Sequence, residues 1–215
     1  MRTRLVIFDF DGVLIDSHRI VPRIYRAILE ELHVPAQLRD QAIHDGDFYD
    51  LQYRKTLAKF GITEQERIRQ AEQIWHRLAE QWEDECRLYP GVRRTVEELS
   101  KVYLLAVLSN NTKERVDRDL GRHGILKHFR LTVGVEGDEA KPNPIGLLRC
   151  METLKATPAE TVYIGDMDDD ITAGRRAGIK KVIAVTYGYH SIKRLAPQKP
   201  DALIGDAAGL LLAVQ

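Results

Sequence analysis

The chain has little cysteine, no excess of either charge and no long apolar run, and each shortage closes off a class of function. Two cysteines in 215 residues, Cys86 and Cys150, make neither a zinc pattern nor a disulfide framework, which fits a reducing cytoplasm. Lysine plus arginine and aspartate plus glutamate both number 32, so no basic field marks a nucleic-acid or anionic-membrane partner. No apolar stretch is long enough to span a bilayer. The basic start "MRTR" resembles that of a signal peptide, but Asp9 and Asp11 interrupt the apolar run behind it. The seven histidines are scattered, without a pair spaced for zinc. What remains is 44% hydrophobic and 30% charged, enough for one sizeable core and an insertion.

Short continuous apolar runs at 4–8, 102–108, 161–164 and 182–186 read as strands buried on both faces, with weaker candidates at 131–135 and 202–204. Helical patterns fall between them, at 92–99, 113–123, 145–154 and 171–177. This alternation predicts an α/β fold with a doubly wound, Rossmann-like parallel sheet. Residues 15–89 break it. Ile20, Val21, Ile24, Ala27, Ile28 and Leu32 recur at helical spacing, as do Ile68, Ala71, Ile74, Trp75, Leu78 and Trp82. The expectation is a core of 1–14 and 90–215 carrying a helical insertion at 15–89, its first helix capped by Asp16 or Ser17.

The chemistry gathers at predicted strand ends. The first strand runs into Asp9 and Asp11, the second into Ser109, Asn110 and Asn111, and a later one into "GDMDDD" (165–170). In an open parallel sheet, ligands bind beyond the carboxyl ends of the strands, so these segments aim polar groups at one crevice. Carboxylates packed that closely require a balancing cation, and all-oxygen donors favour a hard ion such as Mg²⁺. Asp168 and Asp169 read as acids at a helix start.

"DFDGVLIDS", "LSNN", "KPNP" and "GDMDDD" resemble, in order, the four signature motifs of the haloacid dehalogenase superfamily. "YPGV" and "TYGY…PDALI" are similar to its phosphoglycolate-phosphatase-like branch, and the insertion to that branch's C1 cap. The resemblance implies a cytoplasmic, Mg²⁺-dependent phosphatase acting on a small phosphorylated metabolite through an aspartyl-phosphate. It implies Asp9 as nucleophile and Asp11 as general acid and base. Ser109 and Asn110 would bind phosphate, and Lys141 would pair with both the phosphate and Asp9. Asp9, Asp11 (through its carbonyl) and Asp166 would hold the metal, with Asp170 either ligating through water or orienting Lys141. Asn143 and Pro144 would start the helix behind Lys141. Met167 stands where the family often has serine. Two other readings remain open at this level: a sugar phosphomutase, and a non-catalytic binder of Mg²⁺ and phosphate. Within the insertion, "HDGDFYD" (44–50) interrupts the helical pattern, and Asp47 and Tyr49 are candidate substrate contacts.

Overall fold

The computed structural model describes residues 2–18, 20–39 and 53–215. The loop 44–50, with Asp47 and Tyr49, lies outside them. The chain divides into two compact units, one of Met1–Asp16 with Leu88–Gln215 and one of Ser17–Arg87. Short strands β2 (Ile15–Asp16) and β3 (Arg87–Leu88) mark the junctions.

The first unit is built on a six-stranded sheet of β1 (Leu5–Phe8), β4 (Leu104–Ser109), β5 (Leu131–Gly134), β6 (Thr161–Gly165), β7 (Lys181–Val185) and β8 (Ala202–Ile204). Their order is β5-β4-β1-β6-β7-β8, and every pairing is parallel. The α/β doubly wound expectation holds. Every residue of β1 is buried, as a strand covered on both faces requires. Alternate residues serve opposite faces. Leu5 and Ile7 join Leu147, Cys150 and Met151 of α6 (Ile145–Thr153) and Ile171 and Ala173 of α7 (Asp168–Arg176). Phe8, one residue out of that phase, meets Phe129 edge-on at 6.1 Å. Helices α4 (Val92–Ser100) and α5 (Lys113–Arg122) pack on β4 and β5.

Element edges shift by a few residues for physical reasons. The second strand starts at Leu104 rather than 102, because Val102 lies in the turn closing α4 and is largely exposed. Helix α7 starts at Asp168 rather than 171, since the carboxylates of Asp168 to Asp170 favour the positive end of a helix dipole.

The second unit contains α1 (Val21–Glu31), α2 (Tyr53–Lys59) and α3 (Gln65–Trp82). Ile24, Tyr25, Ile28 and Leu29 are buried on α1, and Ile68, Ala71, Ile74, Leu78 and Ala79 on α3. Tyr25, Tyr53 and Trp75 form an aromatic trio with centroids 5.3–6.0 Å apart, and the Arg23 guanidinium lies 4.2 Å from the Trp82 ring. Neither Asp16 nor Ser17 caps α1. Its N-cap is Ile20, without a side-chain acceptor, and the Ser17 carbonyl instead takes the Ile20 and Val21 N–H groups in a preceding turn. Pro22, the second helical residue, brings a preset φ to the first turn.

Candidate active site

The strand order reverses direction at β1: the chain steps outward from β1 to β4 and β5, then crosses back to β6 on the other side. The carboxyl end of β1 is therefore the place where an open parallel sheet binds its ligands. Phe8 is level with Val107 and Ile164, and the Asp9 N–H extends the ladder to the Ile164 carbonyl at 2.8 Å. Asp9 thus emerges where Ser109 and Asp166 leave the two flanking strands. Gly12 turns the chain away at φ +81°, a region where a side chain strains the backbone.

Asp9, Asp166 and Asp170 are buried and can each offer an oxygen within 4.8 Å of the others. Lys141 enters this cluster from the loop ahead of α6, its Nζ 2.6 Å from Asp9 Oδ1 and 2.7 Å from Asp170 Oδ1. Asn143 Oδ1 accepts the Ile145 N–H at 3.0 Å and so fixes the helix start behind the lysine. Asn110 Oδ1 accepts the Lys141 N–H at 2.9 Å. That oxygen anchors the lysine loop, an engagement the sequence does not reveal.

Asp170 is saturated with donors. Oδ1 takes Lys141 Nζ and the Tyr163 hydroxyl, both at 2.7 Å, and Oδ2 takes the N–H groups of Asp166 (3.1 Å) and Met167 (2.9 Å). Four donors occupy the roughly four lone-pair directions of a carboxylate. Asp166 differs. Its Oδ2 accepts the Tyr189 N–H at 2.6 Å, whereas its Oδ1 is buried with no partner among the described residues. A carboxylate oxygen left so costs about 1–3 kcal/mol or more, which a cation would recover. A Cβ on Gly12 would lie 2.1 Å from Asp166 Oδ2, and one on Gly188 2.4 Å from Asp166 Cβ. These two glycines enclose the carboxylate. Nothing local in the tetrapeptide "TYGY" around Gly188 points to an acid 22 residues earlier.

The electrostatics follow from this packing. Burial pushes the Asp9 carboxyl up to about 7 against the pull of Lys141, and Asp170 adds to the rise. Burial, then Asp170 and Asp9, raise Asp166 well above the ordinary range. Burial opposes ionisation of Asp170 as well, but Lys141 and the Tyr163 hydroxyl overcome it and hold its carboxyl low. Burial likewise works against Lys141, yet Asp170 and Asp9 keep it protonated. With all three acids ionised, one ammonium leaves two negative charges in excess. The all-carboxylate donors and the orphaned Asp166 oxygen fit a hard divalent cation.

Asp11 sits outside that cluster, partly exposed, with Oδ2 accepting from Asn111 Nδ2 at 2.5 Å. Ser109 Oγ is buried and accepts the Asn111 N–H at 3.0 Å, which leaves its O–H to donate. Asp168 pairs with Arg194 at 2.8 Å, as a helix-start acid rather than part of the cluster.

The haloacid dehalogenase-like hydrolase family model matches residues 6–185. A phosphoglycolate phosphatase of Vibrio parahaemolyticus is 30% identical over 98% of this chain and 95% of its own length. Another, of Chromobacterium violaceum, is 33% identical over 86% of each chain. A haloacid dehalogenase-like family hydrolase from Streptococcus pneumoniae shares the fold, with a TM-score of 0.84, 22% identity and 99% coverage of both chains. With its signature acids converging at the end of β1, the chain belongs to the haloacid dehalogenase-like hydrolase family.

Proposed function

We propose that the protein is a Mg²⁺-dependent phosphatase of small phosphomonoesters, with phosphoglycolate the first substrate to test because the curated relatives carry that name. The observation that carries this reading is the buried Asp9–Lys141 pair beside the orphaned Asp166 oxygen: a nucleophile, its counter-charge and a place for a cation. Asp9 and Asp166 would hold Mg²⁺ through carboxylate oxygens and Asp11 through its carbonyl. When bound, the ion supplies charge neutralisation for the phosphoryl group. Asp170, with its lone pairs engaged, fits the role of orienting Lys141 better than that of a direct ligand.

An Asp9 carboxylate oxygen attacks phosphorus, and the bond to the ester oxygen breaks as Asp11 gives that oxygen a proton. Water then attacks the aspartyl-phosphate, Asp11 takes its proton, and phosphate leaves with Asp9 restored. The Ser109 hydroxyl donates to the phosphoryl oxygens, and Lys141 offsets their charge. Asn110 can reach phosphate only through its amide nitrogen, since its oxygen holds the lysine loop. The helical unit Ser17–Arg87 acts as the C1-type cap that chooses the ester. Phosphate release from phosphoglycolate should depend on Mg²⁺, stop in chelator and vanish in Asp9→Asn. Turnover by Asp9→Asn near the wild-type rate would overturn the mechanism.

A further inference from the structure

Asp11 has a partner system of its own. The Asn111 amide lies between Asp11 and Arg115: Nδ2 donates to Asp11 Oδ2 at 2.5 Å, and Oδ1 accepts from Arg115 Nη1 at 2.8 Å. Arg115 carries only donors, so the amide oxygen must face the guanidinium and the NH₂ must face the acid. Arg115 Nη2 reaches to 3.7 Å from Asp11 Oδ1. The arginine stands in the first turn of α5, which begins where Thr112 Oγ1 accepts the Arg115 N–H at 3.3 Å. Its side chain is 11% exposed, unusual for an arginine unless its charge is engaged.

A bland role would be to neutralise Asp119, which is fully buried on the same helix. Arg122 serves Asp119 more closely, at 3.0 Å against 3.9 Å for Arg115 Nε. Arg115 also reaches Asn111 through Nη1 and Asp11 through Nη2. This matters because the terminal torsion of an aspartate is broad and two-fold, so the carboxyl does not orient itself. An acid–base group must present one chosen oxygen to the reacting atom.

We propose that Asn111 and Arg115 form a positioning bracket that fixes the orientation of the Asp11 carboxyl, Asn111 from the Oδ2 side and Arg115 from the Oδ1 side, for proton transfer to the leaving ester oxygen and from the attacking water. The bracket rests on the reading of Asp11 as acid and base. Asn111 touches Asp11 directly, and Arg115 acts mainly through it. Asn111 Nδ2 also lies 3.3 Å from Ser109 Oγ, so Arg115 carries the primary test, and loss of the bracket falls on proton transfer more than on the attack by Asp9.

The leaving group separates these steps. Glycolate is a basic leaving group and needs a proton as the ester bond breaks, whereas p-nitrophenolate leaves nearly unaided. Rapid-quench measurement of the first phosphoryl transfer with Mg²⁺ should show Arg115→Ala losing about tenfold or more on phosphoglycolate relative to its loss on p-nitrophenyl phosphate. KM should move by less than about threefold. Asn111→Ala should show the same imbalance on top of a loss common to both esters from its contact with Ser109, and it carries the test if Arg115→Ala does not fold. Arg115→Lys should recover only part of the loss, because an ammonium lacks the fork of a guanidinium. Asp119 keeps Arg122 in each variant. Equal losses on the two esters, or no loss, would overturn the bracket while leaving the phosphatase reading intact. A wild-type protein inactive on both esters would overturn both.

Discussion

Lys141 Nζ lies 2.6 Å from Asp9 Oδ1, in an ion pair whose side chains are each less than one-tenth exposed. A buried pair of this kind is weak evidence of stability but strongly constrains what either partner can lose. Lys141→Ala leaves Asp9 and Asp170 without their shared cation. Phosphate release at neutral pH should fall by about a hundredfold or more, since the proposed nucleophile is then held protonated by burial. The folded state should lose about 3–5 kcal/mol, read from the urea midpoint, as expected when one side of a buried pair is removed. An unchanged midpoint would show that the cluster is far more hydrated than its burial indicates.

The metal-free protein should grow more stable as pH falls from about 8 to 5.5. The Asp9 carboxyl moves from its ordinary 3.8 to about 7 on folding, so between these values the folded chain holds a proton that the unfolded chain has released. Stability then declines as pH rises, by up to about 1.4 kcal/mol per unit for one group, and Asp166 contributes with the same sign. Asp170 is lowered and Lys141 raised, which places their titrations outside this window. Thermal melts in chelator should show the trend, with a shallower slope in Asp9→Asn. Excess Mg²⁺ should flatten it by competing with the protons. Identical slopes for the variant and the wild type would remove Asp9 as the source.

Gly188→Ala tests the enclosure of Asp166. The new methyl would stand 2.5 Å from both Asp166 Oδ2 and the Gly12 carbonyl, so the acid or the loop must move. Mg²⁺ affinity, measured by calorimetry, should weaken by about tenfold or more, in the range seen when groups supporting a metal ligand are altered. Wild-type affinity would mean that the loop gives way without disturbing the acid.

Tyr163→Phe removes the hydroxyl that donates to Asp170 Oδ1 at 2.7 Å from a fully buried ring. A hydrogen bond to a charged group contributes about 1.5–3 kcal/mol, and denaturant unfolding should show a loss of that order. Lys141 keeps its bonds to Asp9 and Asp170, so phosphate release should fall by less than in Lys141→Ala. A loss of activity as large as in Lys141→Ala would place Tyr163 in the lysine's positioning rather than in stability alone.

By itself, the sequence determined the six strands of the main sheet, their parallel arrangement and the segments that carry the acids, but not the short pair β2 and β3 inside the expected helical insertion. Those features are local. Strands buried on both faces must be continuously apolar, so the runs at 4–8 and 161–164 declare themselves, and an acid following such a run falls at the strand end. The covered parallel sheet follows from alternation with helices. What each acid touches was decided only by tertiary structure. Asp166 and Asp170 stand four residues apart in one motif, yet one keeps an orphaned oxygen while the other is saturated by Lys141, Tyr163 and two backbone N–H groups. Gly188 and Arg115 look ordinary in the chain. They acquire meaning because β7 returns beside β6, which carries Asp166, and because α5 starts where β4 ends, within reach of Asp11. Hydrogen bonds and close packing act over a few ångströms between residues far apart in the chain, and no pattern in one segment can encode the partner supplied by another.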